Sequence, residues 1–139
     1  MNITDVLKLQ KSFFDSNQTK DILFRKENLL KLKNSILKNQ KEIYAALKSD
    51  LNKSEYEAFL TEVSVVISEI DVAIKNIKKW CTPIKKSTPF SLFPSKSYIL
   101  SEPYGIALIL SPWNYPFQLA IAPLVAAISA GNCAVIKCS

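Results

Sequence analysis

From residue 99 to residue 139 the chain carries only two charges, Glu102 and Lys137; every other one of its 18 basic and 12 acidic residues lies earlier. A stretch so poor in charge has to be taken out of water, whereas the charged part before it can present one face to solvent. The sequence therefore divides into water-facing helices and an interior section. The net charge of +6 does not point to nucleic acid. The lysines alternate with Glu and Asp, Arg25 is the one arginine, and no basic-aromatic platform is present.

The interior section has its own punctuation. Tyr104-Gly105-Ile106-Ala107-Leu108-Ile109-Leu110 is apolar without alternation, which suits a strand covered on both faces in a parallel sheet. Residues 116–130 read as a helix, and Gly131-Asn132 supplies a left-handed stop. Cys133-Ala134-Val135-Ile136-Lys137 reads as a second strand. Strand, helix and strand in about 35 residues make a βαβ unit with a right-handed crossover. A rival reading uses the absence of charge from 116 to 136 for a membrane anchor, since that length approaches a span. Gln118, Pro123 and the Gly131-Asn132 stop oppose it. A doubly buried helix and strand account for the apolarity equally well.

The first part reads as helices at 4–14, 19–38 and 40–49. Ser16-Asn17 breaks the first, and Ile22, Leu29, Leu32 and Ile36 form a stripe on the second. Ser54 and Glu57 stand at capping-box spacing. Behind them Tyr56, Phe59, Leu60, Val63, Ile67, Ile70, Ile74, Ile77 and Trp80 predict one apolar stripe on a helix of about 25 residues that packs in the core. Residues 82–96, with three prolines, predict an extended connector without regular structure. Residues 97–102 alternate weakly, as a strand does.

Cys81, Cys133 and Cys138 have no paired spacing and the chain has no histidine, so no metal site is expected. A reducing compartment fits these thiols. The first ten residues, MNITDVLKLQ, lack a basic n-region followed by an apolar h-region, so no secretory signal is read and the cytoplasm is expected.

Residues 111–117 hold the chemistry. Pro112 and Pro116 push Ser111 and Tyr115 out of the helical region, and Pro116 suits the first turn of a helix. Asn114 thus sits on a stiff loop beyond the carboxyl end of a strand, where ligands bind in open α/β sheets. A neutral amide donor there can meet negative charge developing on a carbonyl oxygen. On spacing alone, the simpler reading, that Asn114 closes a turn, is the favoured one.

The run from Glu102-Pro103-Tyr104-Gly105 through Leu110-Ser111-Pro112-Trp113-Asn114-Tyr115-Pro116-Phe117 resembles the Pro-aliphatic-Gly strand and Trp-Asn-Tyr-Pro-Phe loop of the aldehyde dehydrogenases. Pro123-Leu124, Ala130-Gly131-Asn132 and Val135-Ile136-Lys137 continue the likeness. Upstream, Phe24-Arg25, Ala46-Leu47, Asp50-Leu51, Lys53-Ser54, Glu57-Ala58 and Trp80 resemble the short class 3 branch, which includes fatty and coniferyl aldehyde dehydrogenases. The resemblance covers essentially the whole chain; the loop is its specific part.

The resemblance implies an α/β fold, with N-terminal helices leading into the first βαβ unit of a Rossmann-like NAD(P)-binding domain. Residues 1–81 would be the helical segment, 82–103 a connector with an oligomerisation strand, and 104–139 the start of the cofactor domain. It implies oxidation of an aldehyde substrate to a carboxylic acid through a cysteine thiohemiacetal, with NAD or NADP, in a homodimer. Asn114 would be the oxyanion donor. Leu110, Ser111, Pro112 and Trp113 would line the nicotinamide ribose, Lys137 would bind the adenosine ribose, and Tyr115 would wall the aldehyde tunnel. The sequence departs from the family where the lysine is normally followed by Pro-Ser-Glu: here Cys138-Ser139 follow Lys137. The glycine-rich loop, the general-base glutamate and the nucleophilic cysteine are not among these 139 residues. Cys133 and Cys138 do not read as that nucleophile, and the segment alone is expected to be inactive. A non-catalytic interaction module and the membrane anchor over 116–136 remain as alternatives.

Overall fold

The computed structural model describes residues 2–139. Its helices begin and end on residues that satisfy their free backbone groups. Asn2 caps α1 (Ile3–Asp15) by accepting from the Thr4 N–H. Asn17 then adopts the left-handed region at φ 62°, leading into a short 3₁₀ turn at Gln18–Lys20. Asp21 accepts from the Leu23 N–H at 2.8 Å and starts α2 (Ile22–Lys38). The second helix therefore begins three residues later than its periodicity predicts, because the aspartate cap wins over propensity. α3 (Gln40–Leu51) stops at Asn52, at φ 54°. Ser54 caps α4 (Glu55–Ala58), accepting from the Glu57 N–H as the capping-box spacing predicts.

The long helix is not uniform. α4 passes through a π-helical turn, Phe59–Val63, into α5 (Ser64–Trp80). A π turn holds one residue more than an α turn and so rotates the helix faces on either side of it. Tyr56, Phe59, Leu60 and Trp80, expected on the buried stripe, are exposed. Val63, Ile70 and Ile77 of that stripe are buried as expected, and Ala58, Glu62, Val66 and Ala73 face inward beside them. Leu29 and Ile36 of α2 meet Val63, Val66, Ile70 and Ala73 in the core, which Val125 completes from the interior section. Fully burying a side chain such as Leu29 or Ile70 contributes about 1.5–3 kcal/mol.

The connector is more ordered than its prolines suggest. β1 (Ile84–Lys86) pairs antiparallel with β2 (Ser97–Ile99). The pairing joins residues 11 to 15 apart in sequence, a relation that local composition does not carry. β3 (Ile106–Leu110) and β4 (Cys133–Lys137) pair in parallel, from Ile106↔Cys133 to Leu110↔Lys137. α6 (Pro116–Ala130) connects them and packs on α5 and α2. The βαβ unit is thus present as read. Coverage of β3 is one-sided, however: Ile109 is buried, while Leu108 and Leu110 are 65% and 67% exposed. Alternate residues of a strand face opposite sides, and α1 reaches the sheet only at its other end, where Gln10 Nε2 donates to the Ala134 carbonyl at 3.2 Å.

α6 ends at Gly131, at φ 85°, after 15 residues. The uncharged stretch 116–136 is therefore a helix and a strand, and among the described residues no helix is long and apolar enough to cross a membrane. This corrects the membrane-anchor alternative. Buried Arg25 holds the far end of α6. Its guanidinium donates to the carbonyls of Thr19, Lys20 and Ser129 and lies 3.2 Å from Cys81 Sγ. Such donors meet the carbonyls that a helix C-terminus leaves free.

Candidate functional site

The two parallel strands end side by side. Leu110 lies opposite Lys137, and the Ser111 N–H donates to the Lys137 carbonyl at 3.0 Å, one step past the strand. There the chain leaves the sheet. Ser111 is buried and its Oγ lies 3.3 Å from the carbonyl oxygens of both Pro112 and Pro116, closing the loop across its base. Pro112, Trp113 and Asn114 are exposed, Trp113 to 70%. Tyr115, at φ −135° and ψ 69°, has the non-helical backbone required before Pro116, the first residue of α6.

No side chain of the loop caps α6. Pro116 has no N–H, and the Leu119 N–H is taken by the Tyr115 carbonyl at 2.9 Å. Those of Phe117 and Gln118 donate to Glu62 Oε2, at 2.9 and 3.2 Å. Glu62 comes from the π turn and is fully buried. Its other oxygen, Oε1, accepts from Lys53 Nζ at 2.5 Å. Lys53, also buried, donates to the Asn114 carbonyl at 3.3 Å and stands 4.0 Å from the centroid of the Tyr115 ring. The loop is therefore gripped on its inner side by one ion pair.

A cleft of about 300 Å³ lies at the carboxyl ends of the strands, lined by Asp50, Leu51, Ser111, Trp113, Pro116, Cys138 and Ser139. Ser111 and Trp113 border it. Leu110 and Lys137 stand at the strand ends next to it, while Asn114 and Tyr115 lie on the part of the loop over Lys53. A larger cavity, of about 390 Å³, lies between α1, α2 and the start of β4, and contains none of the predicted site residues. The loop is the better candidate because it carries an exposed amide and two aromatic side chains, with the Lys53 ammonium held against its inner side. Cys133 offers no rival chemistry. It is buried, and burial pushes its thiol pKa up, which opposes thiolate formation.

The sequence profile of the aldehyde dehydrogenase family matches residues 3–139. The chain belongs to that family. Among its relatives, the 4,4'-diaponeurosporen-aldehyde dehydrogenase of Staphylococcus aureus is 50% identical over 127 residues, which are 91% of this chain and 28% of the relative. Aldehyde dehydrogenase family 3 member H1 of Arabidopsis thaliana is 42% identical over 132 residues, 95% of this chain and 27% of the relative. The solved substrate-bound state of Staphylococcus aureus AldH superposes with a TM-score of 0.94 at 48% identity, covering 100% of this chain and 31% of the solved one. A succinic semialdehyde dehydrogenase of Streptococcus pyogenes, solved with NADP+, reaches a TM-score of 0.84 at 20% identity, a likeness of fold alone. The affinity is with the class 3 branch, and the architecture is the N-terminal part of the aldehyde dehydrogenase fold. This aldehyde dehydrogenase segment spans about 28% of the length of the first-named relative. Sequence reasoning took Lys53 only as a point of family likeness and passed over Glu62; both support the aldehyde dehydrogenase loop directly.

Proposed function

We propose that the segment supplies the oxyanion donor and part of the cofactor pocket of an NAD(P)-dependent aldehyde dehydrogenase that oxidises aldehydes to carboxylic acids. The observation that carries this reading is the place of Asn114: exposed, beyond the carboxyl end of β3, on a loop stiffened by prolines on both sides. Its side-chain NH₂ is the donor that meets charge developing on the aldehyde oxygen when a cysteine outside these residues attacks. An amide keeps its donor character at every working pH, and its rigid placement spares reorganisation in the transition state.

The strand ends fit a nucleotide cofactor. Lys137 offers an exposed ammonium, and Ser111 and Trp113 border an open cleft. Lys137 would bind the adenosine ribose, and the backbone of Leu110, Ser111, Pro112 and Trp113 would line the nicotinamide ribose. The cofactor, when bound, accepts hydride. Tyr115, with Trp113 before Asn114, gives the loop an aromatic flank suited to an apolar aldehyde. Residues 82–103 carry the exposed apolar side chains Ile84, Phe90, Phe93, Tyr98 and Ile99; this hairpin is the element we assign to homodimer contact. Residues 1–81 then form the helical support and 104–139 the start of the cofactor domain, in a cytoplasmic enzyme.

The test uses the complete polypeptide that carries this segment. Asn114→Ala lowers kcat for aldehyde oxidation about 10²–10³-fold, as loss of one oxyanion donor does, while the affinity for NAD(P)+ is retained. An Asn114→Ala enzyme with the parent's kcat overturns the assignment.

A further inference from the structure

Lys53 and Glu62 have no part in the chemistry assigned above, yet both are buried and both reach the Asn114 loop from elements far away in sequence. We propose that this ion pair is the positioning device of the oxyanion donor, fixing the backbone of residues 114–118 so that the Asn114 amide is held in one place. The proposal rests on the reading of Asn114 as that donor.

Stability alone is a poor account of the pair. Removing two charges from water costs about as much as their attraction returns, and apolar residues of similar volume often replace such pairs without loss. What apolar residues cannot do is divide themselves among three backbone groups and an aromatic face. Glu62 splits its oxygens: Oε1 takes Lys53, and Oε2 takes the N–H groups of Phe117 and Gln118. Lys53 splits its ammonium among Glu62, the Asn114 carbonyl and the face of Tyr115. Residues 114, 115, 117 and 118 are each held by one partner of the pair, and the ring of Pro116 stiffens the position between them.

Two further features agree. Glu62 lies in the π turn at Phe59–Val63, an irregularity that costs helix geometry and recurs at functional sites. The Glu62 carboxylate also occupies the N-terminus of α6, where a negative charge is favoured. That helix end is therefore spent on the scaffold and is not available to the developing oxyanion. The side chain of Asn114 has to do that work, and its placement has to be accurate.

The complete polypeptide carrying the segment provides the test, with kcat expressed per titrated active site. Lys53→Met keeps the aliphatic stem and removes the ammonium. Glu62→Asp keeps the charge but shortens its reach by one methylene, and it carries the test if Lys53→Met does not fold. Each is expected to lower kcat about 10–100-fold, the scale of a misplaced reacting group, with KM for NAD(P)+ unchanged. On an Asn114→Ala background neither lowers kcat further, because the group they position has gone. Equal losses of kcat on both backgrounds, or a fall in melting temperature with kcat per site intact, overturn the positioning role. A slow Asn114→Ala enzyme beside a fast Lys53→Met one overturns the positioning role alone. An Asn114→Ala enzyme as fast as the parent overturns the oxyanion reading, and the positioning role with it.

Discussion

The Arg25 guanidinium fills the space that a side chain on Gly131 would need: a Cβ added there would lie 2.5 Å from Arg25 Nη2. Gly131 also holds φ at 85°, in the region L-residues avoid. Gly131→Ala is therefore expected to destabilise the fold by about 2 kcal/mol or more, from left-handed strain plus disturbance of the Arg25 hydrogen bonds. The urea midpoint of the complete polypeptide measures this; a midpoint within error of the parent's counts against the packing described.

Breaking the Lys53–Glu62 pair from one side leaves a buried charge without its partner. Lys53→Met or Glu62→Leu should each cost about 3–5 kcal/mol. The double variant should cost less than the sum, with a coupling energy of about 0.5–3 kcal/mol. It should still fall short of the parent, since the N–H groups of Phe117 and Gln118 lose their acceptor. A double-mutant cycle on unfolding free energies decides this; strict additivity would show that the two side chains act independently.

Cys133 and Cys138 should react at different rates. Cys138 is exposed, while Cys133 is buried with its thiol pKa raised by that burial. Alkylation by iodoacetamide followed by peptide mass spectrometry should label Cys138 well before Cys133 at mildly alkaline pH. The folded state keeps the Cys133 proton to higher pH than the unfolded chain does. The resulting stabilisation is complete below the ordinary thiol pKa of about 8.5 and is lost as pH rises through the folded value. Cys133→Ala should flatten that alkaline decline; an unchanged decline would assign it to other groups.

The 139 residues expressed alone should not reduce NAD(P)+ with a simple aldehyde, since on the proposed reading they supply the oxyanion donor while the nucleophilic cysteine lies outside them. Any steady cofactor reduction above a no-protein control would refute this. Leu108 and Leu110 on the open face of β3, beside unpaired strand edges, should also make the segment self-associate. Light scattering against concentration checks this, and a monomer throughout would contradict it.

Much of the architecture was legible because its signals are local. Ser54 three residues before Glu57, the unbroken run from Tyr104 to Leu110, and Gly131 after a helical stretch each mark an element through its own backbone requirements. The loop was legible in the same way, since Pro112 and Pro116 restrict their neighbours and single out Asn114. The support beneath it was not. The apolar stripe beginning at Tyr56 held Val63, Ile70 and Ile77 of the buried face but not Ala58, Val66 and Ala73, among which Glu62 is the one charged residue. A lone carboxylate on an otherwise apolar face was the available signal. Its partners, Lys53 and the start of α6, are tertiary facts. β1 went unread for a related reason: a three-residue strand exists only through its pairing with β2.

The capping of α6 from a distance also bears on the order in which the molecule takes shape during synthesis. Its first turn has Pro116 but no side-chain cap from its own N-cap residue, and the carboxylate that completes it lies 55 residues earlier in the chain. By the time Phe117 leaves the ribosome, the stretch up to Trp80, with Glu62 in it, has already been synthesised. The group that satisfies the start of α6, and with it the end of the loop, thus precedes both in synthesis.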